Sequence, residues 1–515
     1  MAEFARRLAA ERPDEIALRD PRWMLTWHEV GDILDRIANR LLATDLGPSR
    51  RVAVFAENAN QTALTHLGGL LGGASTVPVN FHLTADEAAY IIADSESSIV
   101  FVGPETVARA EMAADIVAAS GVPRPTIVGW AASHSQVVLD WTTWVAEGPS
   151  GDPPSDIEPL PNLLYTSGTT GLPKGTELPP QMFAGGATMA EHLEALKSNR
   201  FAAFGTHLVV GPMYHTGPLS GMRLLVAGKP SVILDRFDAE KTLATIAHYR
   251  TESAVMVPTH FVRLLALPDE VKARYDVSSM QMVAHTGASC PVDVKRAMIE
   301  WWGPIFVDAY GATEVGTTCS ITSQEWLEHP GSVGRAVPPF EALVLDDDNR
   351  ELPANTEGRL YFRDTTGRGI IYPNDPAKTA AAHIAPGVFT LGEIGYADND
   401  GYVFITDRFS DMVVSGGVNI YPAEAEQVLV RHPDVADVGC IGIPHAEMGE
   451  ELKALVVPVD AEAPPDPIEL LEFCRERLSH YKCPRSVEFV ATLGRNSMGK
   501  LNKRTLRAPY WERVR

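Results

Sequence analysis

Short β-rich runs alternate with amphipathic helical stretches along most of this chain, and this alternation limits the folds open to it. The runs RVAVFA (51–56), SIVFVG (98–103) and PTIVGW (125–130) are rich in apolar and β-branched residues. In 25–43 and 86–95, apolar residues instead recur every three or four positions, which is typical of helices. Strands separated by helices pack as parallel sheets covered on both faces. An α/β fold is therefore predicted.

The pattern changes near residue 330. From there to about 409, short strand-like runs are joined by turns, which predicts a β-rich subdomain. Acidic clusters at 346–348 and 398–401 lack the twelfth-position Glu of a calcium loop and are interpreted as turns. The α/β pattern then returns. We therefore predict an N-terminal domain over 1–409 and a small α+β C-terminal domain over 410–515.

Composition excludes several classes of protein. The formal charge of −22 makes bulk nucleic-acid binding unfavourable, because such a field repels phosphate backbones. The five cysteines form no CxxC pair, so neither a zinc ribbon nor a disulfide framework is indicated. No secretory signal precedes the first helix, and the long uncharged run within 57–86 contains too many polar residues for a bilayer span. We interpret that run as a buried helix followed by a buried strand, and predict a cytoplasmic protein.

The segment YTSGTTGLPKG (165–175) carries the strongest local chemical signal. It follows an apolar strand and combines four hydroxyl side chains, three glycines and Lys174. Glycines let backbone N–H groups approach a phosphate, and hydroxyls and a lysine add donors and charge. A flexible Ser/Thr/Gly surface loop is the alternative, but such loops rarely follow a hydrophobic strand with one placed lysine. A phosphate-binding loop is predicted.

A second glycine-rich segment, GRNSMGK (494–500), fits the GxxxxGK pattern of a P-loop. The position after Lys500 is Leu501, so the Mg²⁺-binding hydroxyl of a P-loop is missing. Too little chain follows to build the parallel sheet that a P-loop enzyme needs. This segment is therefore not interpreted as a nucleoside triphosphatase motif.

Five motifs occur in an order that resembles the acyl-adenylate-forming superfamily, which contains acyl-CoA synthetases, stand-alone adenylation domains and luciferases. They are YTSGTTGLPKG (165–175), AYGATE (309–314), LGEIGYADNDGYVFITDR (391–408), VSGGVNIYPAE (414–424) and NSMGKLNKR (496–504). The resemblance covers nearly the whole chain. It implies a large N-terminal domain with a distorted β-barrel subdomain, and a small C-terminal domain that changes orientation.

The resemblance also implies a two-step reaction with ATP, Mg²⁺ and coenzyme A. A carboxylate resists attack at neutral pH, so its oxygen is first converted into a leaving group as acyl-AMP, with release of pyrophosphate. The acyl group then passes to a thiol. Catalysis of this kind depends mainly on positioning and on stabilising the charge of the transition state.

By similarity, the N-terminal domain supplies the nucleotide and metal contacts. Glu314 would bind Mg²⁺, Thr313 would contact the α-phosphate, and Arg408 would contact the ribose. Family members usually carry Asp where this chain has Glu393, the second ribose contact. The remaining nucleotide residues are the phosphate-binding Thr166, Ser167, Gly168, Thr169, Thr170, Gly171 and Lys174, and the adenine-facing Gly287, Ala288, Ser289, Asp308, Ala309, Tyr310, Gly311 and Ala312.

The C-terminal domain would take part in both steps. Lys500 matches the lysine that bridges the carboxylate and the α-phosphate during adenylation, while Gly416 and Gly417 match the loop beside the thiol channel. The hinge position, which is Asp or Lys in most members, is Ser410 here. A hinge requires only backbone freedom, so rotation is still expected.

The acid-binding pocket is the least defined part of this prediction. Amino-acid-activating relatives carry an aspartate in the segment PMYHTGP (212–218), where this chain offers His215 followed by Thr216. This argues against an amino-acid substrate. His215 is either a gate of the acyl pocket or a structural histidine. Small residues near the pocket, among them Gly287, Gly311 and Gly316, leave room for a long or bulky acid.

The sequence therefore predicts an ATP-dependent acyl-CoA synthetase that uses a carboxylic acid and CoA. It leaves the oligomeric state open, with a homodimer as one option. One alternative is an adenylating enzyme that loads a carrier-protein thiol, although no carrier domain follows Lys503. A second alternative is a nucleotide-binding protein without catalytic activity. Neither a GxSxG elbow nor an HExxH helix is present to support a serine hydrolase or a zinc protease.

Overall fold

The computed structural model describes residues 3–131, 138–166, 173–183, 185–287, 290, 292–346, 348–372, 376–408, 413–420, 422–494, 501 and 503–512. The chain divides into a large N-terminal body, residues 3–408, and a smaller C-terminal domain, residues 413–512. The predicted α/β class is confirmed. The boundary predicted between 409 and 410 lies outside the described residues.

Two parallel sheets form the centre of the N-terminal body. The first is entirely parallel, with strands in the order Ser75–Val79, Arg51–Phe55, Ile99–Val102, Thr126–Gly129 and Leu139–Asp140. The nine-stranded central sheet has the order Arg335–Ala336, Gly316–Thr322, Phe306–Ala312, Met282–His285, Ser253–Met256, His207–Val209, Ser231–Ile233, Ile16–Arg19 and Met24–Thr26. Antiparallel pairs occur only at its two edges. All strands between them run in parallel.

Helices cover the faces of these sheets, as expected for parallel strands. They are Glu3–Glu11, Trp27–Ala43, Asn60–Leu71, Ala85–Asp94, Val107–Ala119, Trp141–Ala146, Pro180–Phe183, Met189–Leu196, Thr216–Met222, Ala239–Tyr249, Pro258–Leu265, Asp269–Lys272, Val292–Trp302, Ser323–Glu328 and Pro376–Ala381, with 3₁₀ turns at Arg200–Ala203 and Arg223–Leu225. The helix Trp27–Ala43 buries Val30, Leu34, Ile37 and Leu41 on one face, at the three- and four-residue spacing seen in the sequence.

Two smaller β structures complete the N-terminal body. A hairpin pairs Leu163–Thr166 with Lys174–Glu177. The β-rich region after residue 330 forms a six-stranded antiparallel sheet in the order His383–Ala385, Val388–Phe389, Gly358–Asp364, Glu393–Ala397 and Val403–Arg408, with Phe340–Leu345 also pairing with Gly358–Asp364. Its core contains Phe340, Phe362, Phe389 and Val403, all buried.

The C-terminal domain has a sheet and a core of its own. Its strands are Val418–Ile420, Val413–Ser415, Gly449–Pro458 and Val435–His445 in that order, and Ser486–Phe489 pairs in parallel with Gly449–Pro458. Its helices are Pro422–Leu429, Pro467–Arg475 and Lys503–Trp511, with a 3₁₀ turn at His480–Lys482. Buried residues such as Leu429, Leu452 and Leu470 fill the space between sheet and helices.

The local predictions agree with these elements. The uncharged run within 57–86 contains the helix Asn60–Leu71 and the strand Ser75–Val79, and every residue of both is buried. Within the described part of the chain, no helix has the length and hydropathy needed to cross a bilayer. The helix predicted over 25–43 begins only at Trp27, because Thr26 and Glu29 form a capping box and Leu25 belongs to a strand.

Candidate active site

The candidate site lies at the carboxyl ends of neighbouring parallel strands of the central sheet. Several of the predicted N-terminal site residues lie in the segments that follow these strands, and Asp308 to Ala312 lie within one of the strands. In open α/β sheets, ligands bind in the crevice outside the carboxyl ends of the strands. His215 comes after the strand His207–Val209, and Val257 comes after Ser253–Met256. Gly287 comes after Met282–His285, and Thr313 and Glu314 come after Phe306–Ala312.

Gly287 lies at these strand ends, close to Val257 and to the main chain of the C-terminal domain. Its φ of +88° is in the left-handed region, which favours glycine. A Cβ atom at this position would lie 3.6 Å from Val257 Cγ1 and 3.8 Å from the carbonyl oxygen of Gly417. The predicted adenine-facing residues Ala288 and Ser289 lie outside the described residues.

The predicted ribose contacts Glu393 and Arg408 are brought next to the AYGATE motif. Tyr310 Oη donates a hydrogen bond to Glu393 Oε2 at 2.8 Å, and Glu393 is buried. The antiparallel register places Arg408 directly opposite Glu393 on the neighbouring strand. The extra methylene of Glu393, compared with the usual Asp, thus still leaves its carboxylate beside the tyrosine of this motif.

Asp308 has a buried cation as its partner. Lys295 Nζ lies 3.2 Å from Asp308 Oδ2, and His285 Nδ1 lies 3.6 Å from Asp308 Oδ1. Burial lowers the pKa of Lys295, while Asp308 opposes this shift. The sequence analysis missed Lys295. It occupies a core-facing position of the helix Val292–Trp302, so a lysine on the apolar face of a helix was the available signal.

Thr313 and Glu314 form the turn between two antiparallel strands. Gly311 and Gly316 lie on either side of this turn, and a Cβ atom at Gly311 would overlap the carbonyl oxygen of Gly316. Tyr372 Oη donates to Glu314 Oε1 at 3.5 Å. The carboxylate predicted to bind Mg²⁺ is therefore held at the tip of a hairpin whose close packing requires glycine.

The chemistry of the donors at this turn fits a magnesium ion bound together with a nucleotide. Glu314 offers hard carboxylate oxygens, which Mg²⁺ prefers. Among the described residues, there is no group of three or more His, Cys, Asp or Glu side chains that could hold a metal ion. Such an ion would take its remaining ligands from phosphate and water, as Mg²⁺ commonly does in nucleotide sites.

The predicted phosphate-binding loop connects the two strands of the hairpin Leu163–Thr166 and Lys174–Glu177. The register places Thr166 opposite Lys174, at the base of the loop. Tyr90 Oη anchors the loop by donating to the carbonyl oxygen of Pro173 at 3.1 Å. The loop residues Ser167, Gly168, Thr169, Thr170 and Gly171 lie outside the described residues.

His215 is the N-cap residue of the helix Thr216–Met222, and Thr216 is the first residue of that helix. A Cβ atom at Gly217 would lie 2.9 Å from Val255 Cγ1 and 3.9 Å from Thr286 Cγ2, so this helix packs tightly on the strand ends. Burial lowers the pKa of His215 to about 4. The imidazole is therefore neutral at neutral pH, and it can line a pocket or hydrogen-bond a ligand without pairing with a carboxylate as a cation.

The C-terminal domain places a pair of adjacent glycines, Gly416 and Gly417, against the same strand ends of the central sheet. Gly416 and Gly417 form the turn between Val413–Ser415 and Val418–Ile420, with φ values of +60° and +79°. A Cβ atom at Gly417 would lie 3.3 Å from Val257 Cβ. The predicted adenylation lysine, Lys500, and the predicted hinge, Ser410, lie outside the described residues.

The sequence analysis did not anticipate the contacts that join the two domains. Asn80 Nδ2 donates to Tyr481 Oη at 3.0 Å, and Arg263 Nε lies 2.8 Å from Glu447 Oε1. Lys482 Nζ lies 3.0 Å from Glu87 Oε1. Nothing in the local sequence indicates such pairs, because their members are separated by 184 to 401 positions.

Family comparison agrees with the motif order. The model of the family described as AMP-binding enzyme matches residues 5–369, and the model of the AMP-binding enzyme C-terminal domain matches residues 424–500. The first match includes the strand ends of the central sheet, and the second begins after Gly416 and Gly417 and covers residues 424–500 of the C-terminal domain.

Curated relatives match over almost their whole length. An indoleacetate–CoA ligase of Aromatoleum aromaticum is 29% identical, with 98% of this chain and 97% of the relative covered. A feruloyl-CoA synthase of an Amycolatopsis species is 31% identical, with 98% of each covered. A fatty acid–acyl-carrier-protein ligase of Streptomyces coeruleorubidus is 30% identical, with 95% of this chain and 92% of the relative covered.

Solved structures share the fold and differ in how well the whole chain superimposes. The amide bond synthetase McbA of Marinactinospora thermotolerans gives a TM-score of 0.81 at 25% identity, covering 99% of this chain and all of that one. The o-succinylbenzoate CoA synthetase of Bacillus subtilis, at 23% identity and 98% coverage of both chains, gives 0.79 with a product analogue and 0.61 with the acyl-adenylate. On the strength of the two family matches and the full-length relatives, this chain belongs to the family of AMP-binding enzymes.

Proposed function

We propose that this protein is an ATP-dependent carboxylate–CoA ligase whose described domain orientation serves the transfer of the acyl group to CoA. One observation carries this proposal: Gly417 of the C-terminal domain lies against Gly287 and Val257, and the adjacent Gly416 lies near Thr259. These positions are at the strand ends predicted to carry the nucleotide and acid contacts. Full-length similarity to CoA ligases supports the reaction.

In the first half-reaction, a carboxylate oxygen of the acid attacks the α-phosphorus of ATP. The bond from that phosphorus to the bridging oxygen breaks, and acyl-AMP and pyrophosphate form. Lys500 and Thr313 would stabilise charge at the α-phosphate, and Lys174 with the hydroxyl-rich loop would hold the β- and γ-phosphates. Glu314 would hold Mg²⁺ against the phosphate oxygens.

In the second half-reaction, the CoA thiol gives up its proton and its sulfur attacks the acyl carbon. The bond from that carbon to the phosphate oxygen breaks, so that a thioester and AMP form. Glu393 and Arg408 would keep the nucleotide in place through its ribose. Backbone at Gly416 and Gly417 would line the approach of the thiol arm, because glycine allows the closest backbone contact.

The two half-reactions require two positions of the C-terminal domain. Superposition on a relative is better with its product analogue bound than with its acyl-adenylate bound, at TM-scores of 0.79 and 0.61. This supports an arrangement suited to the second half-reaction. The proposed domain boundary lies between residues 409 and 410. Rotation near Ser410 would bring Lys500 to the same strand ends of the central sheet for adenylation.

The acid is proposed to be an aromatic or aliphatic carboxylic acid without an ammonium group, rather than an amino acid. The neutral imidazole of His215, with Thr216, Gly287, Gly311 and Gly316, offers no carboxylate for a substrate ammonium group. Relatives named for indoleacetate and ferulate fit the same description. We also propose a cytoplasmic enzyme, because the sequence contains no CxxC pair or other disulfide framework.

The test is pyrophosphate release with Mg-ATP across short, long, aromatic and polycyclic acids, each with and without CoA. We expect CoA-dependent turnover with one class of acid. Lys500→Ala should lower adenylation by on the order of 10²–10³-fold while sparing CoA transfer from preformed acyl-AMP. Equal loss of both half-reactions in this variant would contradict the role proposed for Lys500.

Loading of a carrier protein is the second candidate, because a fatty acid–acyl-carrier-protein ligase is 30% identical to this chain. Saturation by free CoA distinguishes the two functions. Pyrophosphate release that free CoA does not accelerate, but a carrier-protein thiol does, would favour the second candidate. ATP binding without turnover of any acid would favour a non-catalytic nucleotide-binding protein.

A further inference from the structure

A buried lysine at the domain interface is shared by one carboxylate from each domain. Lys482 Nζ lies 3.0 Å from Glu87 Oε1 of the N-terminal body and 3.1 Å from Glu424 Oε2 of its own domain. The side chains of Glu87, Lys482 and Glu424 are 12%, 6% and 4% exposed. Buried charges of this kind persist only when they are paired and hydrogen-bonded.

Both oxygens of Glu87 accept hydrogen bonds from the C-terminal domain. Lys482 Nζ donates to Oε1, and Ser479 Oγ donates to Oε2 at 2.7 Å. Burial raises the pKa of Glu87, but Lys482 and Ser479 outweigh it and the net shift is downward. The carboxylate is therefore held in its charged form by groups that belong to the other domain.

Either domain can separate from this contact without leaving a buried charge unpaired. Glu87 Oε2 also accepts from the backbone N–H of Thr84 at 2.9 Å, in the capping box that begins the helix Ala85–Asp94. Lys482 keeps Glu424 as its partner. Separation exposes Glu87 to water while Lys482 remains neutralised, so the contact can form and break during a catalytic cycle.

This contact forms in the orientation that places the glycine pair at the candidate site. Next to Lys482, Tyr481 Oη accepts a hydrogen bond from Asn80 Nδ2 at 3.0 Å. Phe81, the neighbour of Asn80, packs edge-on against Tyr214 with ring centroids 5.6 Å apart. Tyr214 precedes His215, so the interface around Glu87 is continuous with the acyl side of the site.

We propose that Glu87 is a positioning residue for CoA transfer: by accepting from Ser479 and Lys482, it holds the C-terminal domain where Gly416 and Gly417 face Gly287. The inference rests on the proposed function for its catalytic meaning. Glu87 touches no reacting atom and acts only through the orientation of the C-terminal domain.

The first experiment compares two glutamates in matching capping boxes. Glu29 accepts from the backbone N–H of Thr26 at 2.8 Å, as Glu87 does from that of Thr84, but it lies far from the domain interface. Glu87→Gln should slow CoA transfer from preformed acyl-AMP at least tenfold and leave ATP–pyrophosphate exchange unchanged. Glu29→Gln should change neither, and Ser479→Ala should slow CoA transfer by a smaller factor.

A second experiment measures the orientation without using activity. The substitutions Arg263→Cys and Glu447→Cys replace an exposed ion pair that joins the domains at 2.8 Å. A short bis-maleimide should cross-link the two cysteines rapidly in an otherwise wild-type background and at least fivefold more slowly with Glu87→Gln. Unchanged cross-linking with Glu87→Gln, or equal loss of both half-reactions, would overturn the proposal. Rapid cross-linking in a protein without CoA-dependent turnover would instead contradict the proposed function and leave the role of Glu87 in the orientation supported.

Discussion

The N-terminal body and the C-terminal domain are held together internally by similar apolar packing, but the contact between them is of a different kind. In the body, aromatic residues such as Phe261 and Phe306 are fully buried between sheet and helices. Across the domain interface, ion pairs and hydrogen bonds to Glu87, Asn80 and Glu447 are prominent. Apolar cores separate only by unfolding, whereas polar pairs can exchange their partners for water. The difference suits a fixed body that carries a domain able to reorient.

The largest effect is expected for the pH dependence of the free energy of unfolding of the N-terminal body. Burial lowers the pKa of several histidines in the N-terminal body to about 3 or 4, namely His66, His192, His207, His215, His260 and His285. Their pKa in an unfolded chain is about 6.5. The unfolded state therefore binds more protons below pH 6.5, and the stability present above that pH is lost as pH falls towards 4.

Each such histidine lowers the free energy of unfolding by up to about 1.4 kcal/mol per pH unit in this window. Urea titrations at pH 7.5 and 5.5 should differ by several kcal/mol in the unfolding of the body. Tryptophan fluorescence reports on that body, because eight of the nine tryptophans precede residue 327 and only Trp511 lies in the C-terminal domain. His207→Gln should reduce the pH dependence, and a flat profile between these pH values would contradict the expectation.

Core truncations should show that the two units unfold separately. Phe261 packs edge-on against Phe306 with ring centroids 5.3 Å apart, and Phe261→Ala should lower the stability of the body by about 3–5 kcal/mol. Leu470 is fully buried in the C-terminal core. Leu470→Ala should leave the main tryptophan transition in place and accelerate proteolysis within 413–512. A shift of the tryptophan transition as large as that of Phe261→Ala would show one cooperative unit instead.

The smallest effect is expected for a substitution at Gly417, where main-chain atoms of the C-terminal domain contact the N-terminal body. Gly417→Ala forces a side chain into a left-handed conformation and places its Cβ 3.3 Å from Val257. CoA transfer should slow about tenfold, with adenylation unchanged, because a Cβ atom 3.3 Å from Val257 is closer than ordinary contact and disturbs the approach of the two domains at a cost of about 1.4 kcal/mol. Gly121→Ala is the matched control, because Gly121 has a φ of +87° with no neighbour within 4 Å. Equal loss of CoA transfer in both variants would attribute the effect to backbone strain alone.

Local features of the fold follow from the sequence because their causes are local. A short run rich in apolar and β-branched residues indicates the strand Arg51–Phe55, and helical spacing indicates Trp27–Ala43. Thr26 and Glu29 also have the spacing of a capping box, which indicates that this helix begins at Trp27. The class of fold was predictable for the same reason.

The assembled site was predictable only through the resemblance of its motifs. Nothing in composition or periodicity brings Glu393 to Tyr310, 83 positions apart. The neutral state of His215 depends on burial by distant segments, and the partnership of Glu87 with Lys482 spans 395 positions. Such contacts are set by tertiary packing, which leaves no pattern in the neighbouring residues.

The close approach of Gly287 to the carbonyl oxygen of Gly417 has a consequence for how this enzyme could be altered. A Cβ atom added at Gly287 would lie 3.6 Å from Val257 Cγ1 and 3.8 Å from that carbonyl oxygen, so one apolar side chain and main-chain atoms bound the gap between the domains there. The residues proposed to contact the acid, His215 and Thr216, lie instead at the start of a helix of the N-terminal body. Under the roles proposed above, substitutions at His215 or Thr216 would change the preferred acid and leave the main-chain contact at Gly417 in place.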